Sequence, residues 1–209
     1  MDYVSKFENL SCTEGRLIIM WMGQAGFLMK NSRNKVLALD VYLSDLSMRL
    51  DGNKRLMPAL MTGKELKADV ILASHNHTDH LDVDSLPDMM NGNASLYCSE
   101  GCIPLCEKAS LPMERVHAMK TGDVMEQDGY RVKAVFADHG DAAPDALGFV
   151  IESEGIRIYF TGDTGLQLDR MAEAMQNIDI LIAPINGQYG NMNECDAAML
   201  AEAAKPKLT

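Results

Sequence analysis

Residues 68–80 read ADVILASHNHTDH, an apolar run that ends in a cluster of potential metal ligands. An apolar run of this length, bounded by polar residues, is typical of a buried β-strand. In extended backbone His75 and His77 point to the same side and can chelate one ion, while Asp79 and His80, past the strand end, can turn toward a second. Zinc and other divalent transition metals prefer imidazole and carboxylate ligands. The stretch therefore predicts two neighbouring metal ions.

The plainer interpretation of the cluster is a polar turn whose histidines only cap a helix that starts near Leu81. That interpretation leaves a concentrated group of polar side chains unexplained. They follow directly on the apolar run VILAS at 70–74, where desolvation makes such side chains costly. We therefore favour metal binding.

The residues before the cluster predict short strands separated by turns. Three β-rich runs are broken by Gly23, Gly26 and the polar residues 31–34, which indicates an antiparallel meander. The runs are RLIIMWM at 16–22, GFLMK at 26–30 and KVLALDVYL at 35–43.

The second half of the chain repeats the pattern of a strand that ends in a polar loop. YRVKAVFADHG predicts a strand ending at His139, and IRIYFTGDTG predicts one ending at Asp163. A lone loop histidine or aspartate is more often a turn residue or a helix cap, but beside the first cluster both become candidate ligands. Further runs predict two amphipathic helices and a strand between them: LQLDRMAEAMQNI at 166–178, DILIAPI at 179–185 and ECDAAMLAEAAK at 194–205. Asn186-Gly187 and Gly190-Asn191 mark a loop near the predicted site, which fits either a substrate contact or a simple turn.

Strands that carry candidate ligands at their carboxyl ends, with helices packed outside, indicate a layered α/β protein with its site along one rim of the sheets. A length of 209 residues fits one domain with a sizeable core.

Composition and charge exclude several classes of function. A formal net charge of −11, with no run of Lys and Arg, argues against a nucleic-acid partner. No apolar stretch approaches the ~20 residues of a membrane span, and the first residues lack a secretion pattern. Five cysteines cannot all pair with one another, and a chain of this size needs no disulfides. We expect a cytoplasmic protein that acts on a small molecule, without nucleic-acid or membrane partners; a homo-oligomer stays open.

The order of HNHTDH at 75–80, a later histidine and TGDTG at 161–165 resembles the metallo-β-lactamase superfamily, whose motif is HxHxDH, then His, then Asp, then a last His. Further segments resemble the branch that contains the L-ascorbate-6-phosphate lactonases: WMGQAGFLMK at 21–30, ALDVYLSD at 38–45 and APINGQYGNMNECDAAMLA at 183–201. The resemblance implies the αββα sandwich, an α/β fold of two mixed β-sheets with helices on the outer faces.

The resemblance also implies a role for each candidate residue. It assigns His75, His77 and His139 to one metal ion. It assigns Asp79 and His80 to a second ion, and Asp163 to a position that bridges the two. Asp40 matches the aspartate that braces the histidine loop from behind the ligands; its alternative is a turn residue that ends a strand.

The last histidine of the family motif has no match before Thr209. Either the sequence is truncated within a strand that starts with Leu208-Thr209, which we favour, or the second metal site is weak or empty. We expect one domain over residues 1–209 that lacks the C-terminal strand and the last ligand.

The expected activity is hydrolysis of a small, anionic ester or lactone, with phosphorylated sugar lactones included. The nucleophile is a hydroxide shared by the two ions, because metal coordination lowers the pKa of bound water toward ~7. Asp79 or Asp163 can pass a proton to the leaving group. Alternatives are a phosphodiesterase, including a phospholipase D-like enzyme, and a metal-binding protein without turnover. The ligands suit Zn²⁺, Mn²⁺ or Fe²⁺, and the lactonase branch suggests Mn²⁺.

Overall fold

The computed structural model describes residues 3–209. The chain divides into two compact units between Ala118 and Met119. Each unit is built on one mixed β-sheet with its own short helices, so the predicted α/β class with two mixed sheets is confirmed. No helix among residues 3–209 combines the length and apolar character that a bilayer span requires.

The first unit contains a six-stranded sheet whose strands follow one another in chain order. The strands are β1 (Ile18–Gly23), β2 (Gly26–Lys30), β3 (Val36–Leu39), β4 (Val70–Ala73), β5 (Ser95–Ser99) and β6 (Val116–Met119), which ends at the unit boundary. The helices are α1 (Tyr3–Asn9), α2 (Leu46–Asp51), α3 (Leu86–Met89) and α4 (Ile103–Lys108), with 3₁₀ turns at Glu100–Cys102 and Met113–Arg115.

The predicted meander is confirmed in β1, β2 and β3, which pair antiparallel. The chain then crosses over, because β4 pairs parallel to β3 and to β5. All four residues of β4 are buried, as expected for a strand between parallel neighbours. Asp69 fixes the start of this pairing, since its carboxylate accepts hydrogen bonds from the Val36 amide at 2.8 Å and the Lys35 ammonium at 2.7 Å. The histidine cluster therefore follows directly on a strand that is fully buried.

The second unit contains a five-stranded sheet in the order β11-β10-β9-β8-β7. Its strands are β7 (Val124–Gln127), β8 (Tyr130–Phe136), β9 (Leu147–Ser153), β10 (Ile156–Phe160) and β11 (Ile180–Ile182). Neighbours pair antiparallel except β10 and β11, which are parallel. The predicted strands before His139 and Asp163 are therefore confirmed as β8 and β10.

The two predicted helices of this unit have different outcomes. Helix α6 (Glu194–Ala204) is confirmed and begins with a capping box, in which the Asn193 side chain and the Asp196 side chain each bond the other's backbone amide. The long helix predicted over 166–178 is wrong beyond its first turn, because only α5 (Leu168–Met171) is α-helical. After it the Met175 amide still bonds the Met171 carbonyl at 3.1 Å, and the Gln176 amide then bonds the Glu173 carbonyl, an i to i−3 contact at which the α-helical pattern ends. A 3₁₀ turn also covers Gly140–Ala142.

Candidate metal centre

The histidine loop, residues 75–80, leaves the end of β4 and folds back at once. The amides of His80 and Leu81 both donate to the His77 carbonyl, at 3.0 and 2.8 Å. This turn gathers three imidazoles, because the ring centroid of His75 lies 4.4 Å from that of His77 and 4.1 Å from that of His80. His75 and His80 are buried and His77 is partly exposed. The prediction that the histidine cluster lies at the end of a buried strand is confirmed.

Asp40 lies behind this loop with a fully buried carboxylate. It accepts hydrogen bonds from the Ser74 amide at 2.7 Å, from the Ser74 hydroxyl at 2.5 Å and from His80 Nδ1 at 2.7 Å. The Ser74 hydroxyl also lies 2.9 Å from Nδ1 of His75. A hydrogen bond at Nδ1 fixes the ring orientation and makes Nε2 the atom offered to a metal. One carboxylate and one hydroxyl therefore orient two imidazoles.

The backbone around Asp40 is unusual in a way that serves this contact. Asp40 has a φ of 44°, in the left-handed region that only Gly, Asn and Asp enter at low cost. Gly26, on β2, comes so close that a Cβ there would lie 3.1 Å from the Asp40 carbonyl oxygen. A side chain at position 26 would push the Asp40 turn away from the histidine loop.

Asp79 and His80 form the other half of the loop's ligand set. Asp79 Oδ2 lies 3.9 Å from His80 Nε2, and the Asp79 side chain is 34% exposed while that of His80 is 2% exposed. A separation of 3.9 Å is too long for a hydrogen bond. It fits two donors of one ion, since donors that each lie about 2.0–2.2 Å from a metal lie up to about 4 Å apart.

Two further carboxylates, Asp82 and Asp51, connect the histidine loop and the residues just after it to the segment that follows β3. Asp82, which is 1% exposed, accepts from the Leu43 and Ser44 amides, both at 2.9 Å, and from the Ser44 hydroxyl at 2.6 Å. The Thr78 hydroxyl donates to Asp51 at the end of α2. The histidine loop and residues 43–51 are therefore held together at two points, which the sequence alone did not predict.

In the second unit His139 and Asp163 lie together on the loops after β8 and β10. His139 Nε2 is 3.9 Å from Asp163 Oδ2, the same separation that Asp79 and His80 show, and the His139 side chain is 1% exposed. The two loops are tied by the Asp138 amide, which donates to the Thr164 hydroxyl at 2.8 Å, and by the Gly165 amide, which donates to the Asp138 carbonyl at 3.0 Å. This pair is again too far apart for a hydrogen bond and suitably spaced for one ion.

Asn191 is a residue of this site whose contact the sequence did not specify. Its Nδ2 donates to Asp163 Oδ2 at 2.8 Å, and the side chain lies in the 186–191 loop that the Gly and Asn pairs mark. The Met192 amide donates to the Thr164 carbonyl at 2.8 Å, so this loop is also fixed against the Asp163 loop. Turn chemistry identified the loop, but only the fold brings Asn191 to the carboxylate.

The donor chemistry of both units fits divalent metal ions. His75, His77, His80, His139 and Asp163 are among the side chains that could hold a metal ion. The second ring nitrogen of His80, the one turned from Asp79, is bonded to a buried carboxylate, which is the arrangement that raises the basicity of a metal-binding imidazole. The assignment of individual residues to a first, a second and a bridging position stays a prediction.

A family model described as the beta-lactamase superfamily domain matches residues 42–208. The chain belongs to the metallo-β-lactamase superfamily. Among curated relatives of this member of the superfamily, a UPF0173 metal-dependent hydrolase of Carboxydothermus hydrogenoformans is 31% identical over 90% of this chain and 80% of the relative. Another, from Polynucleobacter asymbioticus, is 29% identical over 93% of this chain and 73% of the relative.

Solved structures support the fold of this superfamily member. The crystal structure of a putative metal-dependent hydrolase from Parabacteroides distasonis has a TM-score of 0.71 and 22% identity, and the match covers 92% of this chain and 80% of the other. At this identity the likeness supports the fold alone. The relatives match the family and leave the lactonase-like branch as a prediction.

Proposed function

We propose that this superfamily member is a metal-dependent hydrolase that cleaves a small ester or lactone at a binuclear centre. The observation that carries the proposal is the histidine loop itself, where three imidazoles converge and His80 is braced by a fully buried carboxylate. A buried imidazole–carboxylate pair is costly to desolvate, so it is not expected in a turn with a purely structural role. The printed names of the curated relatives, which call them metal-dependent hydrolases, support the same activity.

We assign the ligands as the superfamily resemblance implies. His75, His77 and His139 would hold the first ion, Asp79 and His80 would hold the second, and Asp163 would serve both. Mixed imidazole and carboxylate ligands suit Mn²⁺ or Zn²⁺, with Fe²⁺ as a third candidate. When bound, such ions supply an activated water nucleophile and polarise the oxygen of the scissile bond.

The protein's own residues then position the ligands and move the proton. Asp40 and Ser74 orient His80 and His75 through their Nδ1 atoms. Asp79, whose side chain is the more exposed member of its pair, is the carboxylate we assign to hand a proton to the leaving oxygen. Asn191 holds Asp163 Oδ2 in place from the other side.

The substrate class we propose is a small anionic ester or lactone, including phosphorylated sugar lactones. It is supported by the segments at 21–30, 38–45 and 183–201 that resemble the lactonase branch. Hydrolysis of such a bond needs only an oriented nucleophile and a stabilised leaving oxygen, which is the chemistry that the proposed centre supplies.

The experiment is a paired measurement of metal content and of hydrolysis on a matched panel. Protein purified without added metal is analysed for Mn, Zn and Fe and assayed with lactones, carboxylic esters and phosphodiesters. We expect bound metal, release of a carboxylic acid from lactones or esters, and loss of both metal and activity in His77→Ala. Release of a phosphomonoester alone would favour the phosphodiesterase alternative, and bound metal without turnover on the whole panel would favour a metal-binding protein.

A further inference from the structure

Arg55 is a partly buried cation on the segment that follows α2, and its guanidinium lies over an aromatic ring. The guanidinium carbon is 4.6 Å from the ring centroid of Tyr42, which is itself 1% exposed. A cation–π contact of this kind restrains the guanidinium from one face and leaves its N–H groups to form hydrogen bonds.

Most of that hydrogen-bonding edge has no acceptor among residues 3–209. Nη1 donates to the Ser44 carbonyl at 3.5 Å, the longest contact that still counts as a hydrogen bond, while Nε and Nη2 are buried and reach no acceptor in the described part of the chain. Buried donors of a charged group are costly when they stay unsatisfied. The nearby Arg49 shows the ordinary alternative, because it is half exposed and bonds the carboxylates of Asp45 and Asp84.

The position of Arg55 relates it to the histidine loop. Its two contacts, Tyr42 and Ser44, lie in the segment that Asp82 holds through the amides of residues 43 and 44. Asp51, shortly before Arg55, bonds Thr78 within the loop. Arg55 therefore contacts, and follows in the chain, a segment that is hydrogen-bonded to Thr78 in the histidine loop and to Asp82 just after it.

We propose that Arg55 binds the anionic group of the substrate, a carboxylate or a phosphate. Both groups present two oxygens that match the planar Nε–Nη2 edge of arginine in a bidentate pair. The contact with Tyr42 already restrains the Arg55 side chain, which lowers the conformational entropy lost on binding. This inference rests on the proposed function, since it takes the histidine loop to be the place where that substrate is hydrolysed.

The first test measures anion binding without turnover. Full-length, metal-loaded wild type, Arg55→Met and Arg49→Met are titrated with inorganic phosphate and, separately, with succinate by calorimetry, and their melting temperatures are recorded with and without each anion. The two variants lose the same charge a few residues apart, and methionine keeps the apolar stem on Tyr42. The two anions distinguish a phosphate site from a carboxylate site.

We expect Kd for the preferred anion to rise at least about tenfold in Arg55→Met and to stay unchanged in Arg49→Met, since a hydrogen-bonded charge contact is worth more than one decade in affinity. Without anion, Arg55→Met should melt no lower than wild type, because it buries no unsatisfied donor. Equal Kd values in all three proteins would overturn the proposal. Should Arg55→Met fail to fold, Arg55→Lys replaces it, and the loss of the bidentate edge should still weaken binding.

The second test uses a matched pair of substrates, 4-nitrophenyl hexanoate and the mono-4-nitrophenyl ester of adipate, which differ by one distal carboxylate that is too far along the chain to attack its own ester readily. The ratio of kcat/KM for the anionic ester to that for the neutral ester should fall at least about tenfold in Arg55→Met and not in Arg49→Met. An unchanged ratio, together with unchanged anion affinity, contradicts the role of Arg55. Arg55-dependent anion binding without hydrolysis of either ester would count against the proposed ester hydrolase and leave the anion site standing.

Discussion

Asn191 donates a 2.8 Å hydrogen bond to Asp163 Oδ2, the same oxygen that lies 3.9 Å from His139 Nε2. A neutral amide thus fixes one lone pair of the carboxylate while the imidazole faces it at metal-sharing distance. Asn191, which bonds Asp163, lies in the loop after β11. His139, which we propose shares an ion with Asp163, lies in the loop after β8. Three loops of the second unit therefore set the position of one oxygen atom.

We expect Asp163→Asn to reduce kcat by at least about a hundredfold and to change the melting temperature by only a few degrees. An amide keeps the shape of the side chain but supplies a neutral, weaker oxygen ligand in place of a charge that would hold two cations together. The measurement is kcat at saturating metal beside thermal unfolding of both proteins. Asp141→Asn, on an exposed residue of the same unit, is the control. An unchanged kcat would make Asp163 a turn residue.

Replacing His77 with Ala should abolish stoichiometric metal at the first site and hydrolysis with it. The two remaining histidines would leave a shell too poor in protein ligands for firm binding. Metal per chain after dialysis, with activity on the same samples, measures this. His117→Ala is the matched control because His117 is exposed on β6 and stacks on Tyr97, away from the histidine loop in the sequence. Full activity with one metal per chain in His77→Ala would refute the assignment.

Asp40→Asn should weaken binding of the second ion about 10- to 100-fold, the usual effect of removing the outer partner of a metal-binding imidazole. The charge that supports His80 is lost while the left-handed backbone is still tolerated, because Asn enters that region readily. Metal titration against a competing chelator measures the change. Asp69→Asn, at the opposite end of β4, removes a carboxylate that also bonds a backbone amide and should leave metal affinity intact. Equal affinity in wild type and Asp40→Asn would show that the contact does not tune the ligand.

Asp179 should contribute to stability only above the acid range. A hydrogen bond from Lys207 and one from the Arg157 amide hold the pKa of the Asp179 carboxyl below its ordinary value. A carboxyl with a lowered folded-state pKa stabilises the fold above its unfolded pKa of about 3.9, and that contribution disappears as the pH falls through the folded pKa. We expect Asp179→Asn to melt at most a few degrees below wild type at pH 7, because solvent screens the contact with the exposed Lys207 and 1 kcal/mol shifts the melting temperature of a chain of this size by about 2–4 °C. The gap should close below about pH 4; melting curves of both proteins across this range measure it, and a constant gap would contradict the linkage.

The sequence predicted those features whose signal is local. Three imidazoles within one hexapeptide after a buried strand are visible without any tertiary information, and the meander that leads to Asp40 follows from short β-rich runs and turn residues. The helix predicted over 166–178 failed after Met171, because its apolar spacing records burial rather than backbone hydrogen bonding. The contacts of Arg55 and Asn191 gave no signal in the sequence, since each depends on how one segment folds against another: Arg55 lies over Tyr42, and Asn191 bonds Asp163.

The left-handed backbone of Asp40, with its φ of 44°, has a consequence for how the protein can evolve. The residue at position 40 must pass two independent requirements: it must accept a left-handed backbone, and it must carry a negative charge. Gly and Asn pass only the first, and Glu passes only the second. Aspartate alone passes both, so its replacement loses either the turn or the charge, and we expect a natural variant with Asn at this position to keep its fold and to bind its second metal ion more weakly.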